Sequence, residues 1–158
     1  MSKPATTIKI LDVLRPEHIT LDLKSTAKND VIAGLADSLF AKESMEVRSE
    51  VLNALLEREK LGSTGIGSGV AVPHAKSART DIIACALGIA KKGLDFEALD
   101  GEPAYLVFLL VAPPNSQSEH LNILARIVRL LKDRVFRQAL REATTCEAVV
   151  RLISEEDS

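Results

Sequence analysis

The chain has 158 residues, of which 46% are hydrophobic and 27% are charged, so it is long enough to bury an apolar core as one domain over residues 1–158. A formal net charge of -2 and an aromatic content of 3% argue against a nucleic-acid-binding protein, because phosphates attract basic surfaces and bases stack on aromatic rings. No apolar run is long enough to span a bilayer, and the N-terminus lacks a signal-peptide pattern, so we expect a cytoplasmic protein. The two cysteines form no CxxC pair, which favours reduced thiols.

The N-terminal region predicts a strand followed by a helix. Residues 19–23 (ITLDL) alternate apolar and polar side chains, as in a half-buried strand. Ser25 or Thr26 can cap the next helix, whose apolar stripe contains Val31 and Leu35.

A second helix is predicted from about Val47 to Lys60, with Gly62 as a left-handed residue that ends it. Its apolar stripe includes Val51, and helical periodicity places Arg58 on the same side. One interpretation is that Arg58 is part of a functional site at the end of this helix. Alternatively, its stem packs on the core while its head caps the last carbonyls.

A glycine-rich stretch follows this helix and contains half of the chain's eight glycines. It lacks the GK[ST] ending of a P-loop, and a valine occupies the third glycine position of a dinucleotide fingerprint. The segment around Ser68 also does not fit a nucleophile elbow. Residues 70–72 (VAV) predict a short strand that Pro73 ends, because proline has no N–H for a ladder. His74 is then expected at a sheet edge.

Two nearly continuous apolar runs predict strands buried on both faces, at residues 82–90 and 105–111. Residues 91–93 (KKG) are predicted to form a turn, and Asp100-Gly101 with Pro103 another. Strands interleaved with helices indicate an α/β fold with helices on both faces of the sheet.

The C-terminal third predicts helices. Ser116 to Glu119 reads as a capping box, so His120 lies in the first turn of a helix and faces the core. Asp133 can break and recap this helix. A second capping box at residues 144–147 opens a terminal helix through Ile153, followed by a frayed acidic tail.

The chain contains three histidines, at positions 18, 74 and 120. Their long spacings argue against a zinc site, and His18 is expected at the surface. His120 at a helix N-terminus, Arg58 and the glycine-rich loop together indicate a site for a doubly charged anion such as phosphate. The alternative is that each of these residues has an unrelated structural role.

Three segments of the sequence, REKLGSTGIGSGVAVPHAK, DGEPAYLVFLLVAPP and SEHLNILARI, resemble a known family. They are similar to the IIA components of the bacterial phosphoenolpyruvate-dependent phosphotransferase system, in the fructose/mannitol and nitrogen-regulatory branch. The resemblance covers essentially the whole chain and implies one IIA type 2 domain, with a mixed sheet of about five strands flanked by helices on both faces.

The resemblance implies that His74 is the phosphorylated histidine, with His120 as a second active-site histidine and Arg58 as the active-site arginine. The expected donor is a phosphohistidine on a small HPr-like carrier, and Nε2 of His74 would attack if a backbone carbonyl held Nδ1–H. Arg58, His120 and N–H groups of the loop formed by Gly67, Ser68 and Gly69 would stabilise the transferring phosphoryl group. No metal or other cofactor is required.

Two branches of the family remain open as interpretations. The nitrogen-regulatory type, with regulatory target proteins as partners, is favoured by the strand–helix start. Ala75 follows the histidine, where nitrogen-type members commonly carry glycine and fructose-type members alanine. A sugar-transport role, with transfer to a cysteine of a IIB component, is therefore the alternative.

Overall fold

A six-stranded mixed sheet organises residues 8–158, the part of the chain that the computed structural model describes. The strands are β1 Leu14–Thr20, β2 Gly65–Gly67, β3 Val70–Ala71, β4 His74–Lys76, β5 Ala84–Leu94 and β6 Ala104–Ala112. Their order is β1-β5-β6-β3-β2, and β4 also pairs with β6. β5 and β6 are antiparallel, whereas β1 runs parallel to β5, and β3 and β4 run parallel to β6.

Helices cover both faces of this sheet, as predicted. The helices are α1 Ile10–Val13, α2 Lys28–Leu39, α3 Met45–Lys60, α4 Gln117–Leu130, α5 Arg134–Glu142 and α6 Cys146–Glu156. Side chains of β6 alternate between two apolar clusters, with Phe108 buried among residues of α4–α6 and Val107 among residues of α2 and α3. The α/β fold with a mixed sheet is thus confirmed, with one strand more than the resemblance implied. No helix within residues 8–158 is both long and apolar enough to cross a lipid bilayer.

The hairpin β2–β3 and the strand β4 lie along one edge of β6. Val70 pairs with Leu106 and His74 pairs with Leu110. Pro73 therefore interrupts the pairing with β6 but does not end it. Proline has no N–H to donate to the ladder, but the carbonyl of Pro73 accepts a hydrogen bond from the N–H of Leu110 at 3.0 Å. The sequence predicted β3, as residues 70–72, but not β2 or β4.

Several local predictions were wrong. The segment 91–93 is part of β5, and β1 begins at Leu14 rather than at Ile19. The first long helix begins after Ala27 without a side-chain cap, and Ser25 Oγ instead accepts from the N–H of Ala27. Gly62 has a φ of 158°, which is not the expected left-handed helical value.

The C-terminal helices begin close to their predicted positions, but some contacts differ. Ser116 is the N-cap residue of α4, yet its hydroxyl donates to the carbonyl of Pro113 instead of capping the helix. Asp133 caps α5 as predicted. The tail is not frayed, because α6 continues to Glu156 and the buried carboxylate of Asp157 accepts from the N–H of Ile10 at 2.8 Å and pairs with Arg126.

Candidate functional site

His74 is the first residue of β4 and is half-buried. Its Nδ1 lies 2.8 Å from the carbonyl oxygen of Val72, so this nitrogen carries the proton and donates it to the backbone. The expected hydrogen bond between Nδ1–H and a backbone carbonyl is therefore present. Because a neutral imidazole has one N–H, Nε2 keeps a lone pair that can attack an electrophile.

The surroundings of His74 favour its neutral form. Burial lowers the pKa of His74 below its ordinary value, and the charge of Arg58 acts in the same direction. The hydrogen bond to Val72 and the charge of Glu59 oppose this decrease in the pKa. A lowered pKa means that Nε2 is unprotonated at neutral pH, as a nucleophile requires.

His120 lies in the first turn of α4, and its ring faces that of His74. The two ring centroids are 5.6 Å apart, and the ring planes meet at 76°. His120 is only 5% exposed, and its Nε2 is buried without a hydrogen-bond partner within residues 8–158. Burial lowers the pKa of His120 to about 4, assisted by the charges of His74 and Lys76. An unpaired buried polar atom is costly, so its position beside His74 requires an explanation.

Arg58 lies in the last turn of α3, which packs against β4. Its Nη1 donates to the carbonyl of Gly62 at 3.0 Å. This contact corresponds closely to the carbonyl-capping alternative, but it uses only part of the guanidinium group, which has five N–H donors. The other donors make no hydrogen bond within residues 8–158, and the charge of Arg58 lowers the pKa of His74.

Glu59 is the residue of this region that sequence reasoning missed. Its buried carboxylate accepts from the N–H of Thr64 at 3.0 Å and from the hydroxyl of Thr64 at 2.7 Å. It also pairs with Nζ of Lys28 at 2.9 Å. The carbonyl of Thr64 in turn accepts from the N–H of Val72 at 2.9 Å. A series of hydrogen bonds therefore connects Glu59 with the backbone that holds His74.

A sequence signal for Glu59 was available. The buried side chains of α3 are Val51, Leu55 and Glu59, which follow one another at intervals of one helical turn. An acidic residue on an apolar stripe requires a partner. The same geometry explains why Arg58, one position earlier, is half-buried rather than buried.

The turn formed by Gly67, Ser68 and Gly69 does not lie beside His74. This turn precedes Val70, which pairs with Leu106, whereas His74 pairs four residues farther along β6, roughly 13 Å away at 3.3 Å per residue. The N–H of Ser68 already donates to Asp100 Oδ2 at 2.9 Å. The structure therefore does not support the predicted phosphate-cradling role of this turn in a site at His74.

His18 does not join the other two histidines. It is half-buried on β1, the strand at the opposite edge of the sheet from β2. Within residues 8–158, no group of three or more His, Cys, Asp or Glu side chains is arranged to hold a metal ion. The structure thus brings His74 and His120 together from separate elements, and α3, which carries Arg58, packs against β4.

Comparisons with known proteins show the family to which this chain belongs. The model of the family described as "Phosphoenolpyruvate-dependent sugar phosphotransferase system, EIIA 2" matches residues 12–156. A nitrogen regulatory protein of Bradyrhizobium diazoefficiens is 37% identical over 92% of this chain and 94% of its own length. A fructose-specific EIIABC component of Bacillus subtilis is also 37% identical, over 95% of this chain, but the match spans only 24% of that longer protein.

Among solved structures, the nitrogen regulatory protein IIA-Ntr of Neisseria meningitidis is similar to this chain. The two superpose with a TM-score of 0.85 at 31% sequence identity, over 91% of this chain and 98% of the other. The similarity therefore extends over nearly all of both chains.

Proposed function

Because this chain belongs to the EIIA 2 family of the phosphoenolpyruvate-dependent sugar phosphotransferase system, we propose that it is a phosphohistidine carrier with His74 as its acceptor. The observation that carries the proposal is the hydrogen bond between Nδ1 of His74 and the carbonyl of Val72, which leaves Nε2 as the nucleophile. The donor is an HPr-like phosphocarrier protein that presents its own phosphohistidine.

The reaction exchanges one P–N bond for another. The lone pair on Nε2 of His74 attacks the phosphorus atom, and the P–N bond to the carrier's imidazole breaks. The electron pair of that bond returns to the carrier's nitrogen. The phosphoryl group moves without hydrolysis, and Nδ1–H of His74 remains hydrogen-bonded to Val72 throughout.

Two side chains stabilise the charge on the transferring group in this proposal. The guanidinium of Arg58 offers donors that its bond to Gly62 does not use. His120 is neutral because its pKa is about 4, and its buried Nε2 has no partner within residues 8–158. With the proton on Nε2, His120 donates a neutral hydrogen bond to a phosphoryl oxygen. Preorganised donors of this kind favour the transition state because they need no reorganisation.

The nitrogen-regulatory role is the one we favour, with phosphorylation changing which regulatory target proteins bind. A phosphoryl group on His74 adds about −1.5 to −2 charges at the start of β4. Lys76 is exposed beside it, whereas Arg79 is already paired with Glu46 and Glu50 at 2.8 and 2.5 Å. The added charge is thus only partly compensated, and a docked acidic or apolar surface would be repelled.

A second function, transfer to a cysteine of a IIB component during sugar uptake, is favoured by a specific observation. The fructose-specific EIIABC relative is as identical to this chain as the nitrogen regulatory relative, at 37%. Ala75 beside the acceptor histidine also agrees with the fructose type. In that reaction the P–N bond to His74 breaks as a P–S bond forms.

Labelling tests the carrier function. The full chain is incubated with labelled phosphoenolpyruvate, enzyme I and the HPr-type carrier, and the acid-labile label is measured. We expect label on the wild type and on a His18→Gln control, and none on His74→Gln. Full labelling of folded His74→Gln would exclude His74 as the acceptor.

Affinity measurements separate the two branches. A candidate regulatory target is titrated with the phosphorylated protein and with His74→Ala, which cannot be phosphorylated. We expect at least a hundredfold preference of the target for the unphosphorylated form, because unfavourable charge contacts at an interface cost several kcal/mol. Equal affinities, together with rapid transfer to a IIB cysteine, would favour the sugar-transport function.

A further inference from the structure

A second concave site lies away from His74, between the turn of the β2–β3 hairpin and helix α5. Its cavity has a volume of about 160 Å³. Ser68 and Gly69 form one wall, and side chains of α5 form the other. Because this turn lies at the Leu106 end of the β3–β6 pair and His74 at the Leu110 end, the two sites are separate.

Three arginines of α5 line this cavity. Arg134, Arg137 and Arg141 follow the spacing i, i+3 and i+7, which places them on one face of the helix. Arg137 donates from Nη1 to the carbonyls of Leu131 and Lys132, at 2.7 and 3.0 Å. The guanidinium of Arg141 lies over the ring of Tyr105, 3.5 Å from its centroid. These contacts hold two guanidinium groups in place, and neither contact neutralises their charge.

Within residues 8–158, none of the three guanidinium groups pairs with Asp or Glu, whereas Arg79 and Arg126 do form such pairs. The acidic groups nearest in sequence are bound to neutral donors. Asp133 accepts from the N–H groups of Val135 and Phe136, and Glu142 accepts from the side chain of Gln138.

The turn places Ser68 and Gly69 in the lining of the same cavity. Ser68 and Gly69 both have positive φ values, 57° and 80°, as in a type I′ hairpin turn. Asp100, which is not among the residues that line the cavity, accepts a hydrogen bond from the N–H of Ser68 at 2.9 Å. Neither the hydroxyl of Ser68 nor the N–H of Gly69 makes a hydrogen bond within the part of the chain that the structure describes.

We propose that this cavity binds a phosphate dianion, either free or as the phosphoryl group of a small phosphomonoester. Two or more guanidinium groups that converge without a carboxylate match the charge and the oxygen geometry of phosphate. The volume accommodates a phosphoryl group with a few further atoms and is below the 300–1,000 Å³ usual for larger ligands such as nucleotides. The proposal does not depend on phosphorylation of His74.

Titration by NMR tests this site on the full-length, ¹⁵N-labelled chain. Inorganic phosphate and glycerol 3-phosphate are added separately at constant ionic strength, with glycerol as the uncharged control. We expect saturable shifts of the amide signals of Ser68 and Gly69 and of the arginine Nε–H signals of α5. Tighter binding of one of the two ligands identifies the free anion or the phosphomonoester as the preferred form.

Arg134→Gln is the informative variant, because Arg134 is exposed and makes no hydrogen bond or ion pair within residues 8–158 that folding could need. It should weaken binding about tenfold or more, the effect of losing one charge-assisted hydrogen bond. The matched control is Arg129→Gln, an exposed arginine of α4 outside the cavity, which should bind as the wild type does.

The result of this phosphate titration is independent of the proposed carrier function. Binding at the turn should persist in His74→Gln, and phosphoryl transfer to His74 should persist in Arg134→Gln. Shifts that do not saturate, shifts confined to residues around His74, or equal weakening in the two arginine variants would overturn the proposal.

Discussion

Nδ1 of His74 lies 2.8 Å from the carbonyl oxygen of Val72, two residues earlier in the chain. The bond spans Pro73, whose missing N–H interrupts the ladder at this point. A backbone acceptor therefore selects the tautomer of the proposed nucleophile, since a carbonyl oxygen can only accept.

This contact predicts where the phosphoryl group is attached. We expect phosphorylation on Nε2 of His74 and none on Nδ1, because Nδ1 is protonated and faces the backbone. Coupling between ³¹P and selectively labelled ring ¹⁵N in the phosphorylated protein identifies the nitrogen. A phosphorus bond to Nδ1 would contradict the assignment and imply that the imidazole rotates before transfer.

Arg58 and His120 are predicted to increase the transfer rate without carrying the phosphoryl group. Removing one preorganised donor typically costs about 10²–10³ in rate, roughly 2.7–4 kcal/mol. Arg58→Gln and His120→Gln should each slow transfer from the carrier by about this factor in rapid-quench experiments, with the label still on His74. Lys60→Gln, an exposed change at the end of the same helix, is the control. Wild-type rates in both folded variants would assign them purely structural roles.

His120 is predicted to make the protein less stable in acid. Its pKa is about 4 in the folded state, against an ordinary value of 6.5. Between these values the unfolded chain binds a proton that folded His120 does not, so stability falls as the pH falls from 6.5 to 4. The loss reaches at most about 3 kcal/mol.

The measurement is urea denaturation at several pH values, compared with His120→Gln. The variant should lose less stability than the wild type over this interval. Burial also lowers the pKa of His74, so some loss remains in the variant. Parallel curves for the two proteins would contradict the prediction.

The carboxylate of Glu59 is predicted to stabilise the segment between α3 and β3. Glu59→Gln leaves Lys28, 14% exposed, without its 2.9 Å partner and removes a charged acceptor from Thr64. Because Lys28 retains Glu97 at 3.7 Å, we expect a loss of about 2 kcal/mol, below the 3–5 kcal/mol of a fully buried pair. Glu57→Gln, which breaks an exposed pair with Lys60, should cost less than about 1 kcal/mol. Equal losses in chemical denaturation would show that burial of Glu59 is energetically unimportant.

Two glycines are predicted to respond in opposite directions to alanine. A Cβ at Gly34, an exposed position in α2, meets nothing within 4 Å, so Gly34→Ala should stabilise by about 0.5–1 kcal/mol. At Gly93 the φ is +77° and a Cβ would lie 2.9 Å from Cβ of Pro103 and 3.0 Å from the ring of Tyr105. Gly93→Ala should therefore destabilise by at least about 1–2 kcal/mol. The same sign for both changes in thermal or urea unfolding would refute the argument.

Gly93 also shows why one local prediction failed. The segment 91–93 has the composition of a turn, yet β5 continues through it and Leu94 pairs with Ala104. The register of β5 on β6 shifts between Ile89 and Leu94, which accommodates the left-handed glycine within the strand. Pairing with a distant strand therefore overrode the local turn signal.

The prediction of a frayed C-terminal tail was wrong for a related reason. Serine and acidic residues at a chain end indicate a solvated segment. In the structure, Asp157 is 4% exposed because it receives a hydrogen bond from the N–H of Ile10, which lies 147 residues earlier. No local pattern reports a partner at that distance.

The sequence by itself determined the α/β class, the two central strands and the position of His74 after a glycine-rich strand and a proline. These features follow from hydrophobic periodicity and backbone chemistry within a few residues. Only the tertiary structure decided that His120 faces His74 across 5.6 Å, that Glu59 is bonded to Thr64, and that the turn at Gly67 lies away from both histidines. Distances between separate elements depend on strand order, register and helix packing. Periodicity along the chain reports which side of an element is buried, but not which residue it meets there.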